Sequence, residues 1–382
     1  MTSYTENNPS ARGAGGPALT DMVTGMALVV VCAAYVLPFF APGNETVGSF
    51  SVVFSSIALE AMPFMLIGSL VGGIIEVFVS RDRIESLLPD RNWASACVAA
   101  ALGMAFPVCE CAIVPVVRRL AGKGLPAAAA IAFLLSGPIV NPVVGLSTAM
   151  AYNFDWRPVA VRLGFGYAVA VGVALLLDWR FRRSSLFVHG VVPEKQDHAR
   201  GGKDHGHGGC SCGCEHDHDH TRTGGHAHEK CGHGCDHDHG DGDGPGARIM
   251  AAGNHALDDF MATAPYLIAG AAIAAIAQTC LERRLFVEMA SSPAMSSAVM
   301  MLLAVLLNLC SEADAFIAAS FRGLVPFSAQ MAFLVIGPMF DIKLLLMYRN
   351  FLKARAVLWL ATLVAAASML VSLSLELAGV AL

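Results

Sequence analysis

The stretch "AFPVCECAIVP", residues 105–115, sets Cys109, Glu110 and Cys111 between Pro107 and Pro115 in otherwise apolar surroundings. Two thiols and a carboxylate are costly to bury without partners, so the group calls for a chemical reason. A second group, "CSEAD" at 310–314, places Cys310 beside Glu312 and Asp314 in another apolar stretch. Thiolates select copper(I), zinc and similarly soft ions, while carboxylates serve as ligands or proton acceptors. Cys109, Cys111 and Cys310 are therefore candidate ligands for a transported ion. Glu110, Glu312, Asp314 and Asp341 are candidates for neutralising it and exchanging protons. A charge at the centre of a membrane helix costs roughly 2.5–3.5 kcal/mol on insertion scales and marks an ion pathway or proton relay. Glu60 and Glu76 also lie in an apolar segment, but are read as near helix ends and set aside.

These residues need a membrane scaffold, and the composition supplies one. The chain of 382 residues is 55% hydrophobic and 14% charged, with a mean hydropathy of +0.58. Soluble domains carry roughly 25% charged residues. Apolar runs at about 22–41, 50–79, 93–117, 125–151, 158–178, 257–280, 295–320, 324–347 and 356–380 are each about the length that spans a bilayer. The expected fold is an all-α polytopic membrane protein of about nine transmembrane helices, several broken by Gly or Pro. A polar tail at 1–21 has no basic n-region, so 22–41 is read as a retained helix and not a signal peptide. The net charge of −5 argues against a nucleic-acid partner.

The halves 22–180 and 251–382 resemble one another. "AFLLSGPIVN" (132–141) matches "AFLVIGPMFD" (332–341) in Ala, Phe, Leu, Gly and Pro, with Pro126 and Pro326 at the same distance before them. Pro63 with Gly68 echoes Pro265 with Gly270. Duplicated halves with interrupted helices are a signature of secondary transporters, whose sites form where broken helices meet. Asn141 and Asp341 follow the two Gly-Pro breaks, where freed carbonyls can face a cation. Each side chain can equally cap the helix that restarts there. Counting every run as a crossing puts the Gly-Pro repeats four helices apart and therefore parallel, unless a segment is re-entrant.

The linker 181–250 has no apolar periodicity and reads as disordered. Residues 198–239 hold eleven of the thirteen histidines and five of the eleven cysteines. Cys210, Cys212, Cys214, His216, His218, His220, Cys231, Cys235, His237 and His239 are candidate zinc or copper ligands. Their spacing matches no structural zinc finger, which points to several exchangeable sites. A reducing compartment keeps such thiols free, favouring a cytoplasmic linker, although basic residues at nearly every turn leave the positive-inside rule tied. No Walker spacing, haem signature or serine-nucleophile motif is present, so neither an ATP-driven pump nor an enzyme is expected, and no prosthetic group.

At "FPVCECAIVP", "FLLSGPIVNP" and "SEADAFIAASF…FLVIGPMFD" the sequence resembles the ArsP/YraQ-type permease family, over both membrane halves. Cys109, Cys111 and Asn141 match the family's "PxCxC…PxxN" pattern, which implies a place in the substrate path. The family includes exporters of trivalent organoarsenicals and a branch regarded as copper/zinc efflux permeases, which the His/Cys-rich linker resembles. Glu110 departs from the arsenical exporters and favours a cation. The expected protein is a multi-pass inner-membrane permease that exports copper or zinc by alternating access, coupled to protons. Its partners are metal ions and the lipid bilayer, with a homo-oligomer left open. Alternatives are efflux of trivalent arsenicals through the same thiols, and a membrane-anchored metal sensor or buffer.

Overall fold

The computed structural model describes residues 24–32, 34, 36, 45–80, 88–89, 91–105, 109–181, 186–188, 245–280 and 292–379. The chain divides into two compact units, Met1–Pro193 with Pro245–Leu382, and Glu194–Gly244. The linker ligands from Cys210 to His239 and the N-terminal tail lie outside the described residues. The described chain is helical; among its residues there is no strand, only an isolated bridge between Phe187 and Leu352.

Beyond a helical stretch at 24–32, the described helices fall into two sequences of like order. The first comprises α1 (Glu45–Phe78), α2 (Asn92–Leu102), α3 (Glu110–Gly122), α4 (Ala127–Ser136), α5 (Pro142–Ala151) and α6 (Trp156–Arg180). The second comprises α7 (Pro245–Cys280), α8 (Pro293–Leu307), α9 (Ser311–Ser320), α10 (Phe327–Ile336), α11 (Ile342–Arg349) and α12 (Ala354–Leu377). α7 begins six residues inside the stretch read as linker, with a proline at its first position, where the missing N–H is no loss. The four long helices α1, α6, α7 and α12 are long and apolar enough to cross a membrane. Val52 and Leu59 on α1 and Leu358 and Leu370 on α12 point outward, as a bilayer requires. The protein is an all-helical, multi-pass membrane protein.

The short helices are short for local reasons. Pro138 cannot donate a backbone N–H; Ile139 and Val140 tighten onto the Ser136 carbonyl at 2.9 and 2.7 Å, and the helix stops. Asn141 then restarts it, its side chain accepting the Val144 amide at 2.8 Å. The same happens at 337–341, where Asp341 accepts the Leu344 amide at 2.7 Å. Both residues therefore act as helix caps. In the second half, α8 ends at Asn308 in the left-handed conformation (φ 52°).

Contacts at the helix ends fix how each element runs. Lys123, just past α3, donates to the carbonyls of Glu76 and Val79 at the end of α1 (2.5 and 2.7 Å), so α1 and α3 finish on one side. Gly103, after α2, abuts Gly137, after α4, so α2 and α4 run parallel, and α4 starts where α3 ends. The pair α2–α3 is therefore a re-entrant hairpin with Cys109 at its turn. In the second half Ser297 of α8 meets Ser372 at 2.5 Å and Ser328 of α10 meets Glu376 at 2.7 Å, both late in α12. So α8 and α10 start together, and α8–α9 is a matching hairpin with Cys310 at its turn.

The halves are inverted. Arg180, ending α6, lies over the ring of Trp359, early in α12, at 5.2 Å, and Lys353 donates to the Leu186 carbonyl at 3.1 Å. Helices α6 and α12 are thus antiparallel. So are α1 and α7, because Gly73 late in α1 meets Ala252 early in α7. Asn92 opens α2 beside Asp178 of α6 at 3.0 Å, so the first hairpin enters from the side where α6 ends and the second from the opposite side. The re-entrant segment that would overturn a parallel repeat is present in each half. Span counting took 93–117 and 295–320 as crossings, whereas each returns to its own side. Bent backbone at that depth is tolerated because protein surrounds it.

The halves differ in packing. Gly68 of α1 lies so close to α3 that a Cβ would sit 2.3 Å from the Ala112 carbonyl oxygen. Its counterpart, Gly270 of α7, lies against α11, 2.5 Å from the Lys343 Cα on the same measure. Helices α1 and α7 thus lie along α3 and α11, which both run toward the side where α6 ends and α7 begins, here called the linker side. The corresponding face of α5 leaves Val143 and Leu146 about half exposed.

Candidate functional site

The two hairpin turns meet in one cleft. It is lined by Ile57, Glu60, Ala61 and Phe64 of α1, by Cys109, Glu110 and Cys111 opening α3, by Asn308 and Cys310 before α9, and by Lys343 of α11. Cys109 and Cys310 hold the same structural position, the N-cap of the returning helix, and neither thiol caps it. The first amides of α3 therefore keep their N–H groups free of a side-chain cap, whereas at α9 the Ala313 amide faces the Cys310 thiol. Two positive helix ends converge there, favouring negative charge in the cleft. The thiols of Cys109 and Cys111 are within hydrogen-bonding reach of each other, and the Cys310 thiol is within reach of Glu60. All three cysteines are free of disulfides. Pro115 within α3 removes the donor for the Cys111 carbonyl.

The charge in the cleft is compensated from α11. The Lys343 ammonium is 2.8 Å from Glu110 Oε1 and 3.3 Å from Asp341 Oδ2, and all three side chains are almost fully buried. Its Nζ also reaches the Asn308 carbonyl at 3.4 Å, and its backbone N–H donates to Asn308 Oδ1 at 3.2 Å. Lys343 thereby joins the turn of the second hairpin to the start of the first. Among the described residues Glu110 has no other hydrogen-bond donor.

A second buried polar group lies apart from the lining. Arg162 of α6, fully buried, donates to Thr148 Oγ1 at 2.8 Å and to the Ser311 carbonyl at 2.7 Å, where the charges of Asp314 and Glu312 act on it. Asp314 faces the Gly337 break just as Ile113 faces the Gly137 break. That fixes the correspondence of the turns: Glu110 answers to Ser311 and Cys111 to Glu312.

Of the residues singled out in the sequence, Cys109, Glu110, Cys111 and Cys310 line the cleft, and Asp341 reaches it through Lys343. Glu312 and Asp314 lie outside the lining, Glu312 accepting from the Ser311 hydroxyl at 3.3 Å and Asp314 facing Gly337, and Asn141 bonds within its own break, donating to the Gly137 carbonyl at 3.1 Å. No three His, Cys, Asp or Glu side chains among the described residues converge as a metal cage. Sequence reasoning missed Lys343, Asn308 and Arg162 and dismissed Glu60, which is mid-helix in α1 and not near its end. The signal for Lys343 and Arg162 was present: each is a basic residue within an apolar run, and such a residue needs an acid nearby.

Inverted halves whose opposed hairpin turns share one cleft are the build of a transporter. The chain belongs to the family described as predicted permease, which matches residues 46–377. It is similar to the UPF0718 protein YcgR of Bacillus subtilis (strain 168), at 36% identity over 81% of this chain and 91% of the relative. It is also similar to a putative two-component membrane permease complex subunit of Streptococcus mutans serotype c (strain ATCC 700610 / UA159), at 32% identity over 80% of this chain and 88% of that one. No solved structure matches the chain.

Proposed function

We propose that the protein is a secondary-active permease of the inner membrane that exports a soft metal ion, copper(I) or zinc, coupled to protons. The observation that carries this is the meeting of two opposed hairpin turns, each N-capped by a cysteine, in one cleft. Cys109, Cys111 and Cys310 are the soft donors and Glu60 and Glu110 the acids beside them. Access alternates by exchange of packing. With α1 and α7 along α3 and α11, the linker side is closed; with the same pair along α5 and α9, the far side closes instead. The inversion of the halves makes the two arrangements equivalent in kind. The linker lies on the cytoplasmic side and captures the metal before it enters. A partner subunit is in keeping with the name of the streptococcal relative, which is one subunit of a complex.

A second cargo, a trivalent arsenical, is favoured by one observation. Lys343 already neutralises one acid in the cleft, and two positive helix ends face it, which suits an uncharged thiophile better than a divalent cation. The test is uptake into everted vesicles of zinc, copper(I) and methylarsenite, with the intact chain and with residues 195–244 deleted. A transporter keeps some uptake without the linker. Loss of all metal handling on deletion is the result expected of an anchored sensor.

A further inference from the structure

We propose that Lys343 is a tethered counter-cation: its ammonium occupies the cargo's place on Glu110 and lets the empty carrier return across the membrane. This rests on the transport reading above, though not on its proton coupling, and names a residue that sets how the cycle turns over. Three observations converge. The Lys343 Nζ lies in the cleft with the three thiols, 2.8 Å from Glu110 Oε1, which has no other donor among the described residues. It is held by a second acid, Asp341, at 3.3 Å, and by the Asn308 carbonyl at 3.4 Å, so it can release Glu110 and still keep partners. It also has no counterpart in the other half, where Val143 stands at the same distance after Asn141.

The charge count explains the need. Glu110 and Asp341 carry two negative charges in a buried site and Lys343 one positive charge, leaving a net of −1. Without the ammonium the empty site would carry both charges through its change of packing, and each uncompensated charge at that depth is costly. A cation that binds the thiols and Glu110 displaces Nζ toward Asp341. In the loaded site the cation supplies the charge that balances Glu110, whereas the empty site has only Lys343 for both acids. The lysine keeps its proton throughout.

The test compares two modes in proteoliposomes of the full-length protein with radiolabelled zinc. Exchange of internal for external zinc needs only the loaded carrier, while net efflux needs the empty one to return. Lys343→Met is expected to lose net efflux by roughly 100-fold and exchange by much less. Lys343→Arg should retain both modes. Lys343→Met combined with Asp341→Asn restores the net of −1, keeps Glu110, and keeps a capping residue that Asn141 shows to fit. It should regain net efflux. If Lys343→Met loses or keeps both modes together, or the double variant shows no recovery of net efflux over Lys343→Met, the role assigned to Lys343 is wrong while transport stands. If the wild type moves no zinc in either mode, the transport reading for zinc falls, and the inference with it.

Discussion

Replacing Gly68 by alanine puts a methyl group 2.3 Å from the Ala112 carbonyl oxygen and 2.6 Å from its Cα. Ordinary contact begins near ~3.5 Å, so α1 and α3 must part by about 1 Å. Both atoms belong to backbone, and no rotamer change relieves them. Overpacking of this kind costs about 1–3 kcal/mol. That penalty falls only on the arrangement in which α1 lies along α3, so it shifts the balance toward the other by roughly 5- to 150-fold. The assay is the rate at which a membrane-impermeant maleimide reaches the cleft thiols from the linker side, with Cys32, Cys97, Cys280 and the linker cysteines replaced. Gly68→Ala should speed labelling, and Gly270→Ala, which presses on Lys343 Cα at 2.5 Å, should act in the same direction. Gly72→Ala is the control, because its Cβ meets nothing nearer than 3.6 Å. Equal labelling in the wild type, Gly68→Ala and Gly72→Ala, with the variants folded, would refute the exchange of packing.

Three further outcomes are expected. Cys109→Ser, Cys111→Ser and Cys310→Ser should each abolish resistance to the exported metal without loss from the membrane, since serine nearly keeps the volume but not the soft donor; wild-type export by all three would reduce the thiols to packing. Arg162→Met should lower the thermal midpoint of the purified protein, because it removes two hydrogen bonds made by a charged donor at about 1.5–3 kcal/mol each; an unchanged midpoint would contradict the assigned bonds. The isolated segment 195–245 should bind more than one zinc or copper(I) ion by calorimetry, with affinity falling as pH drops through about 6.5, where imidazole gains a proton and ceases to coordinate; no binding below millimolar metal would end the capture role.

The chemistry of the cleft was more legible in the sequence than its geometry. Cys109, Glu110, Cys111 and Cys310 stand out because thiols and acids in apolar runs are rare and need a cause. The Gly-Pro breaks were legible too, since proline stops a helix wherever it removes a needed donor. The path of the chain was not. A run of about 25 apolar residues reads alike whether it crosses the bilayer or turns back at mid-depth. The difference lies in the bends at Gly103 and Asn308 and in the partners of Lys123 and Ser297 across the fold. Lys343 and Arg162 went unassigned because a basic residue in an apolar run is intelligible only beside the groups it meets. Those across the fold lie far away in sequence: Glu110 for Lys343, the Ser311 carbonyl for Arg162.

The claim that the hairpin turns hold the cargo is tested most directly by X-ray absorption at the metal edge, on protein lacking residues 195–244 and loaded with zinc. The account predicts a sulfur shell near ~2.3 Å that shrinks in Cys109→Ser, in Cys111→Ser and in Cys310→Ser. Tightly bound zinc surrounded only by nitrogen and oxygen, and unchanged in those variants, would contradict it.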